Sequence, residues 1–162
     1  MATATEVQLV RESWARVSGN PDAVGKLFYQ NFLDKNLMIK ETLFKHVNMD
    51  IQRGLLVRMI DSAVVKGLDN LEELKVTLRA VGERHAGYGT LPEHYPIVGE
   101  ALITTLKQAL GPNLTAQHEA AWVKIHGFMA NEMIIGQSTD KGNALYAKWQ
   151  ERQLTAKKAQ TA

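Results

Sequence analysis

Leu71-Glu72-Glu73-Leu74-Lys75-Val76-Thr77-Leu78-Arg79-Ala80-Val81-Gly82-Glu83-Arg84-His85-Ala86-Gly87-Tyr88-Gly89 is the stretch on which the fold turns. Leu71, Leu74, Leu78, Val81 and His85 are spaced three, four, three and four apart, which is one face of a helix. The pattern breaks at Gly87-Tyr88-Gly89, and Pro92 follows. A histidine that ends an apolar stripe has two readings. It closes the core of an ordinary helical protein, or its neutral imidazole presents a nitrogen to a metal such as iron, shielded from water by the stripe.

Outward from this helix, the chain has the size of one domain, 162 residues, with 45% hydrophobic and 22% charged residues. It contains no cysteine, which excludes disulfides, thiolate nucleophiles and thiolate-bound metals. Any iron must be held by another side chain or arrive inside a prosthetic group. The net charge is +2, with cations gathered at the C-terminus (Lys141, Lys148, Arg152, Lys157, Lys158). So small an excess reads as a solvated tail rather than a nucleic-acid surface. No apolar run approaches the ~18 residues of a membrane span, and Met1–Glu6 lacks the pattern of a signal peptide. A cytoplasmic protein, with no nucleic-acid or membrane partner, is expected.

The periodicity is helical almost throughout, so an all-α fold of about seven helices is expected. Thr5 is placed to cap a first helix ending near Ser18, with Val7, Val10, Trp14 and Val17 on one face. Gly19–Asp22 forms a turn, and a second helix carries Val24, Leu27, Phe28 and Phe32. A short third helix carries Leu37, Met38, Leu43 and Phe44 as its apolar residues. A fourth runs from about Met49 to Gly67, ahead of the His85 helix. Pro92 opens the next helix, Gly111-Pro112 ends it, and Thr115 caps a long helix beyond Met133. Gly136–Asp140 interrupts that helix, and residues 141–162 form either a further helix around Leu145 and Trp149 or a frayed tail.

The local sequence Val81-Gly82-Glu83-Arg84-His85, then Tyr88-Gly89, then Pro92-Glu93-His94-Tyr95-Pro96-Ile97-Val98-Gly99-Glu100-Ala101-Leu102 resembles the haem-proximal region of bacterial-type globins. The resemblance is to single-domain bacterial haemoglobins and the globin domain of flavohaemoglobins, and covers about residues 6–136. It includes Trp14, Phe28-Tyr29, Phe44 and Ala121-Trp122. It implies a globin-like fold at residues 1–136 enclosing one haem, with residues 137–162 as a C-terminal extension. It further implies that His85 is the iron ligand, that Phe44 packs on the porphyrin, and that Tyr29 donates a hydrogen bond to bound oxygen. Leu56, Val81, Tyr95 and Val98 would contact the cofactor, and Arg84 would reach a propionate. Without cysteines the cofactor would be haem b.

The second distal residue has two registers. Counting back from His85 without a gap gives Arg53 with Val57, and Gly54 would then allow a close helix crossing. At about 100° per residue, that face turns Asp50 and Asp61 toward the pocket, where unpaired carboxylates are costly. A shift by one residue gives Met49, Gln52, Leu56, Met59, Ile60 and Ala63, apolar except for Gln52. It needs one extra residue near Lys66–Asn70. Gln52 with Leu56 is the preferred register.

On the proximal side, the flavohaemoglobins pair the tyrosine matching Tyr95 with a glutamate that strengthens the imidazole as an electron donor. The matching position here is Gln137, an amide that cannot supply an anionic push. Glu132 lies more than a turn away. His46 is expected in a surface loop rather than swung onto the iron, and His94 near a haem edge or exposed to solvent.

The expected function is reversible binding of oxygen, and of CO or NO, with slow oxygen release from the Tyr29/Gln52 pair. An alternative is an NO dioxygenase, which would need a separate reductase. A haem-based sensor that uses residues 137–162 is the third reading. A monomer or weak homo-oligomer is expected.

Overall fold

The computed structural model describes residues 1–162 and contains eight α-helices, two short 3-10 turns and no strands. The helices are α1 (Ala4–Val17), α2 (Pro21–Leu33), α3 (Leu37–Leu43) and α4 (Met49–Val65), followed by α5 (Leu71–Ala86), α6 (His94–Leu110), α7 (Ala116–Gln137) and α8 (Asp140–Thr161). The 3-10 turns are Gly67–Asp69 and Gly111–Asn113. No helix is long and apolar enough to cross a membrane.

Local signals set most of the boundaries. Pro21 sits in the first turn of α2 behind an Asn20 cap, and Thr115 caps α7. The first helix begins earlier than expected. Thr3, not Thr5, is its cap, because Glu6 at the third helical position returns the bond to the Thr3 backbone and completes a capping box. Helix α6 begins at His94, two residues beyond Pro92, whose turn precedes it. In α3, Leu37 and Met38 are exposed and Ile39 is the buried residue, since one short helix can turn only one face inward. Residues 140–161 are helical rather than frayed.

The core is continuous from α1 to α7. Trp14 and Trp122 lie edge to face with ring centroids 6.1 Å apart, both essentially buried. Their indole nitrogens are both satisfied. Trp14 Nε1 donates to Asp61 at 3.0 Å and Trp122 Nε1 donates to Ser13 Oγ at 2.9 Å.

The crossing of α5 and α7 brings two backbones into contact on the helix that carries His85. A Cβ at Gly82 would collide with the Met133 backbone, and one at Gly136 with the Arg79 backbone. The two glycines therefore permit backbone-to-backbone contact at both ends of the crossing. Between α2 and α4 the small residue is Gly25, which abuts Arg53; Gly54 meets nothing within 4 Å and plays no such part.

Candidate functional site

Helices α2, α4, α5, α6 and α7 surround a cavity of about 510 Å³, within the range of cofactor sites. Nineteen of its 25 lining residues are hydrophobic, so the few polar groups on its wall stand out.

His85 is one of them. Its Nδ1 donates to the Val81 carbonyl at 2.8 Å, one helical turn back. This bond orients the ring and leaves the Nε2 lone pair for the cavity. Burial lowers the imidazole pKa, assisted by the Arg84 charge and opposed by the Val81 bond. Burial thus favours the neutral ring, the form a metal ligand takes. Tyr88 lies edge-on to it, with ring centroids 5.6 Å apart.

Tyr29 and Gln52 also line the cavity. Gln52 Nε2 donates to the Tyr29 phenol oxygen at 3.0 Å. Burial, opposed by that bond, pushes the Tyr29 pKa up to about 12, so the phenol keeps its proton. Phe44 packs against Tyr29 and Phe32, with ring centroids 5.8 Å from each, and closes that side. Leu56, Met59 and Ile60 continue the α4 wall.

Arg53 and Val57 are not on the wall. Arg53 pairs with Asp50 at 3.1 Å, while Val57 is buried in the core. Asp61 accepts from Trp14. Helical geometry thus sends both carboxylates of α4 away from the cavity.

Val81, Tyr95 and Val98 line the cavity beside His85. The Tyr95 hydroxyl is buried with no hydrogen-bond partner, and burial raises its pKa. Gln137 does not reach it; its Nε2 donates to the Thr90 carbonyl at 2.6 Å. Glu132 is buried and bound to Arg79 at 2.7 Å. No carboxylate is hydrogen-bonded to Tyr95 or His85.

Arg84 and His94 are also on the wall. Arg84 makes no ion pair with a carboxylate. His94 Nδ1 accepts from the Leu91 amide at 3.0 Å, which leaves the proton on Nε2. His46 is exposed and off the wall, and His118 belongs to the α7 capping box.

His126 is the site residue that sequence reasoning missed. It lines the cavity from α7 and packs on Gly99 of α6, where a Cβ would sit 2.7 Å from its ring. Burial lowers its pKa. Its spacing from Trp122, Met129 and Met133 carried the signal, because these residues share one helical face.

A family model described as globin matches residues 27–133. The chain belongs to the globin family. Among curated proteins, the flavohemoprotein of Rhizobium meliloti is 27% identical over 153 residues, which is 94% of this chain and 36% of that protein. This globin thus spans about a third of the length of the flavohemoproteins it matches. Among solved structures, a bacterial globin from Campylobacter jejuni aligns with a TM-score of 0.70 at 25% identity, covering 90% of this chain and 99% of the other. An engineered carbene transferase from Rhodothermus marinus, provisionally described as a nitric oxide dioxygenase, aligns with a TM-score of 0.73 at 24% identity. It covers 91% of this chain and 97% of that one, a likeness of fold.

The globin cavity suits a haem on its own chemistry. Its walls are apolar, His85 offers one bare imidazole nitrogen, and Arg84 and the His94 N–H are free to meet carboxylates. No cluster of three His, Asp or Glu side chains is arranged to hold a bare ion.

Proposed function

We propose that this globin holds one haem b through His85 and binds oxygen, and other small gases, reversibly. The observation that carries this reading is the His85 tether: Nδ1 is fixed to Val81, so Nε2 faces an apolar cavity as an available ligand. Bound haem would supply an iron centre able to take a diatomic gas. Phe44, Leu56, Val81, Tyr95 and Val98 provide apolar contact, and Arg84 with His94 would meet the propionates.

Tyr29 is the donor to the gas. Because its oxygen accepts from Gln52, its own proton is free to point into the cavity. Gln52 acts mainly through Tyr29, by fixing the phenol, rather than as an equal second donor. A hydrogen bond to a charge-bearing acceptor contributes roughly 1.5–3 kcal/mol, so oxygen release is slow.

The NO dioxygenase reading has one specific support, the similarity to flavohemoproteins. It would require electrons from a reductase, and the proximal residues favour the binder. Gln137 is an uncharged amide whose Nε2 bonds Thr90, and Glu132 pairs with Arg79, so neither gives the imidazole an anionic partner.

Absorption spectra of the ferric, ferrous and CO-treated protein test the proposal. A five-coordinate ferrous spectrum converted by CO is expected. A chain that takes up no haem would overturn it. Repeated NO consumption with a flavin reductase present would favour the enzyme, and a single stoichiometric reaction the binder.

A further inference from the structure

Helix α8 lies beyond residues 27–133, yet its first half packs on the helix that carries His85. The contacts converge on the turn Gly87–Thr90 that ends α5. Leu145, Trp149 and Arg152 are spaced four and three apart, on one face of α8. Leu145 lies against Gly87, and Arg152 donates to the Gly87 carbonyl at 3.0 Å.

Trp149 covers Gly89 so closely that any Cβ there would enter the indole ring. Gly89 also has φ +85°, a conformation side chains disfavour. Thus backbone conformation and packing demand glycine at one place. Tyr146 stacks on Trp149, with ring centroids 5.6 Å apart, and supports the indole from its own helix.

The far end of the turn is held as well. The Thr90 carbonyl accepts from Gln137, just before α8 begins, and the Thr90 and Tyr88 amides both donate to the His85 carbonyl. The turn is therefore bonded to His85 on one side and fastened to the C-terminal segment on the other. A helix end frays unless its last carbonyls are held, and His85 sits in the last turn of α5.

We propose that α8 is a proximal clamp, in which Trp149 and Arg152 are positioning residues that hold the Gly87–Thr90 turn and so set the orientation of His85. The link to iron rests on the reading of His85 as its ligand; the mechanical link does not. Residues beyond Arg152 are exposed and take no part.

Two measurements on full-length Trp149→Ala and Arg152→Gln test the clamp. Hydrogen exchange at the Tyr88, Gly89 and Thr90 amides should quicken by about tenfold or more, while amides at the centre of α2 stay unchanged. In the ferrous haem-loaded protein, the iron–histidine stretching band should shift or broaden, and Trp149→Phe should restore it in part. Unchanged exchange and an unchanged band in both variants would overturn the clamp. If Trp149→Ala does not fold, Arg152→Gln, altered at an exposed side chain, decides alone. A chain that takes up no haem would defeat the proposed function, and the exchange measurement would still decide the clamp.

Discussion

Gln52 Nε2 lies 3.0 Å from the Tyr29 phenol oxygen and donates to it, which leaves the phenol's own proton as a donor not used by Gln52. Tyr29→Phe removes that donor. Its oxygen dissociation rate, by stopped flow, should rise ten- to a hundredfold, since ~1.4 kcal/mol is a factor of ten and the bond is worth roughly 1.5–3 kcal/mol. Gln52→Leu should raise the rate less, on the order of several-fold, because the phenol remains and only loses its guide. Equal effects would mean that both side chains touch the gas.

His85→Gly opens the space of the imidazole. The ferrous spectrum of the five-coordinate protein should be lost, and added imidazole should restore it by occupying the cavity that His85 vacates. A spectrum unaffected by the substitution would move the iron ligand elsewhere, with His126 the next residue to examine.

Ser13 accepts from Trp122 Nε1 and donates to the α1 backbone, with 1% of its surface exposed. Ser13→Ala would leave the indole N–H buried and unpaired. Unfolding in urea should show a loss of about 1–3 kcal/mol, although only one oxygen has been removed. The haem cavity does not include Ser13, so spectra should be unaltered.

Gly82→Ala should part α5 from α7, because the new methyl meets the Met133 backbone rather than a side chain able to move. Destabilisation of about 1–3 kcal/mol or more is expected in denaturant titration. Since Gly82 lies one turn before His85, the iron–histidine band should also move.

Burial lowers the His126 pKa from its ordinary 6.5. The unfolded chain therefore takes up a proton at that site before the folded one does. Its contribution to stability is intact above pH 6.5 and declines as pH falls below it, toward the lowered folded value. The decline is at most about 1.4 kcal/mol per pH unit for one proton. His94 acts in the same direction. His126→Gln should flatten, without abolishing, the loss of urea stability as pH falls below 6.5.

Much of the architecture was legible because helices announce themselves locally. The leucine stripe of α5, the Asn20-Pro21 start of α2 and the Thr115 cap of α7 each rest on contacts within a few residues. The Thr3 cap was misplaced because two threonines compete and only the reciprocal Glu6 bond distinguishes them. Leu37 and Met38 are apolar, but their exposure depends on where α3 lands against α2.

The site divides in the same way. Amphipathicity alone favoured Gln52 over Arg53, because Asp50 and Asp61 had to face outward together. It could not show that Gln52 would donate to Tyr29 rather than act beside it, since the bond joins residues 23 apart on different helices. His126 escaped notice because its polarity hides it in an apolar stripe until α6 places Gly99 against it.

The sequence by itself determined an all-helical chain, the breaks between its helices and a histidine closing an apolar face, since all of these follow from periodicity and capping within a single segment. Only the tertiary structure decided what meets that histidine's turn. Gln137 bonds Thr90 across 47 positions and Arg152 bonds Gly87 across 65, and contacts so distant along the chain leave no local pattern. They exist because two glycines let α5 and α7 touch, and because α8 folds back onto the turn where His85 ends its helix.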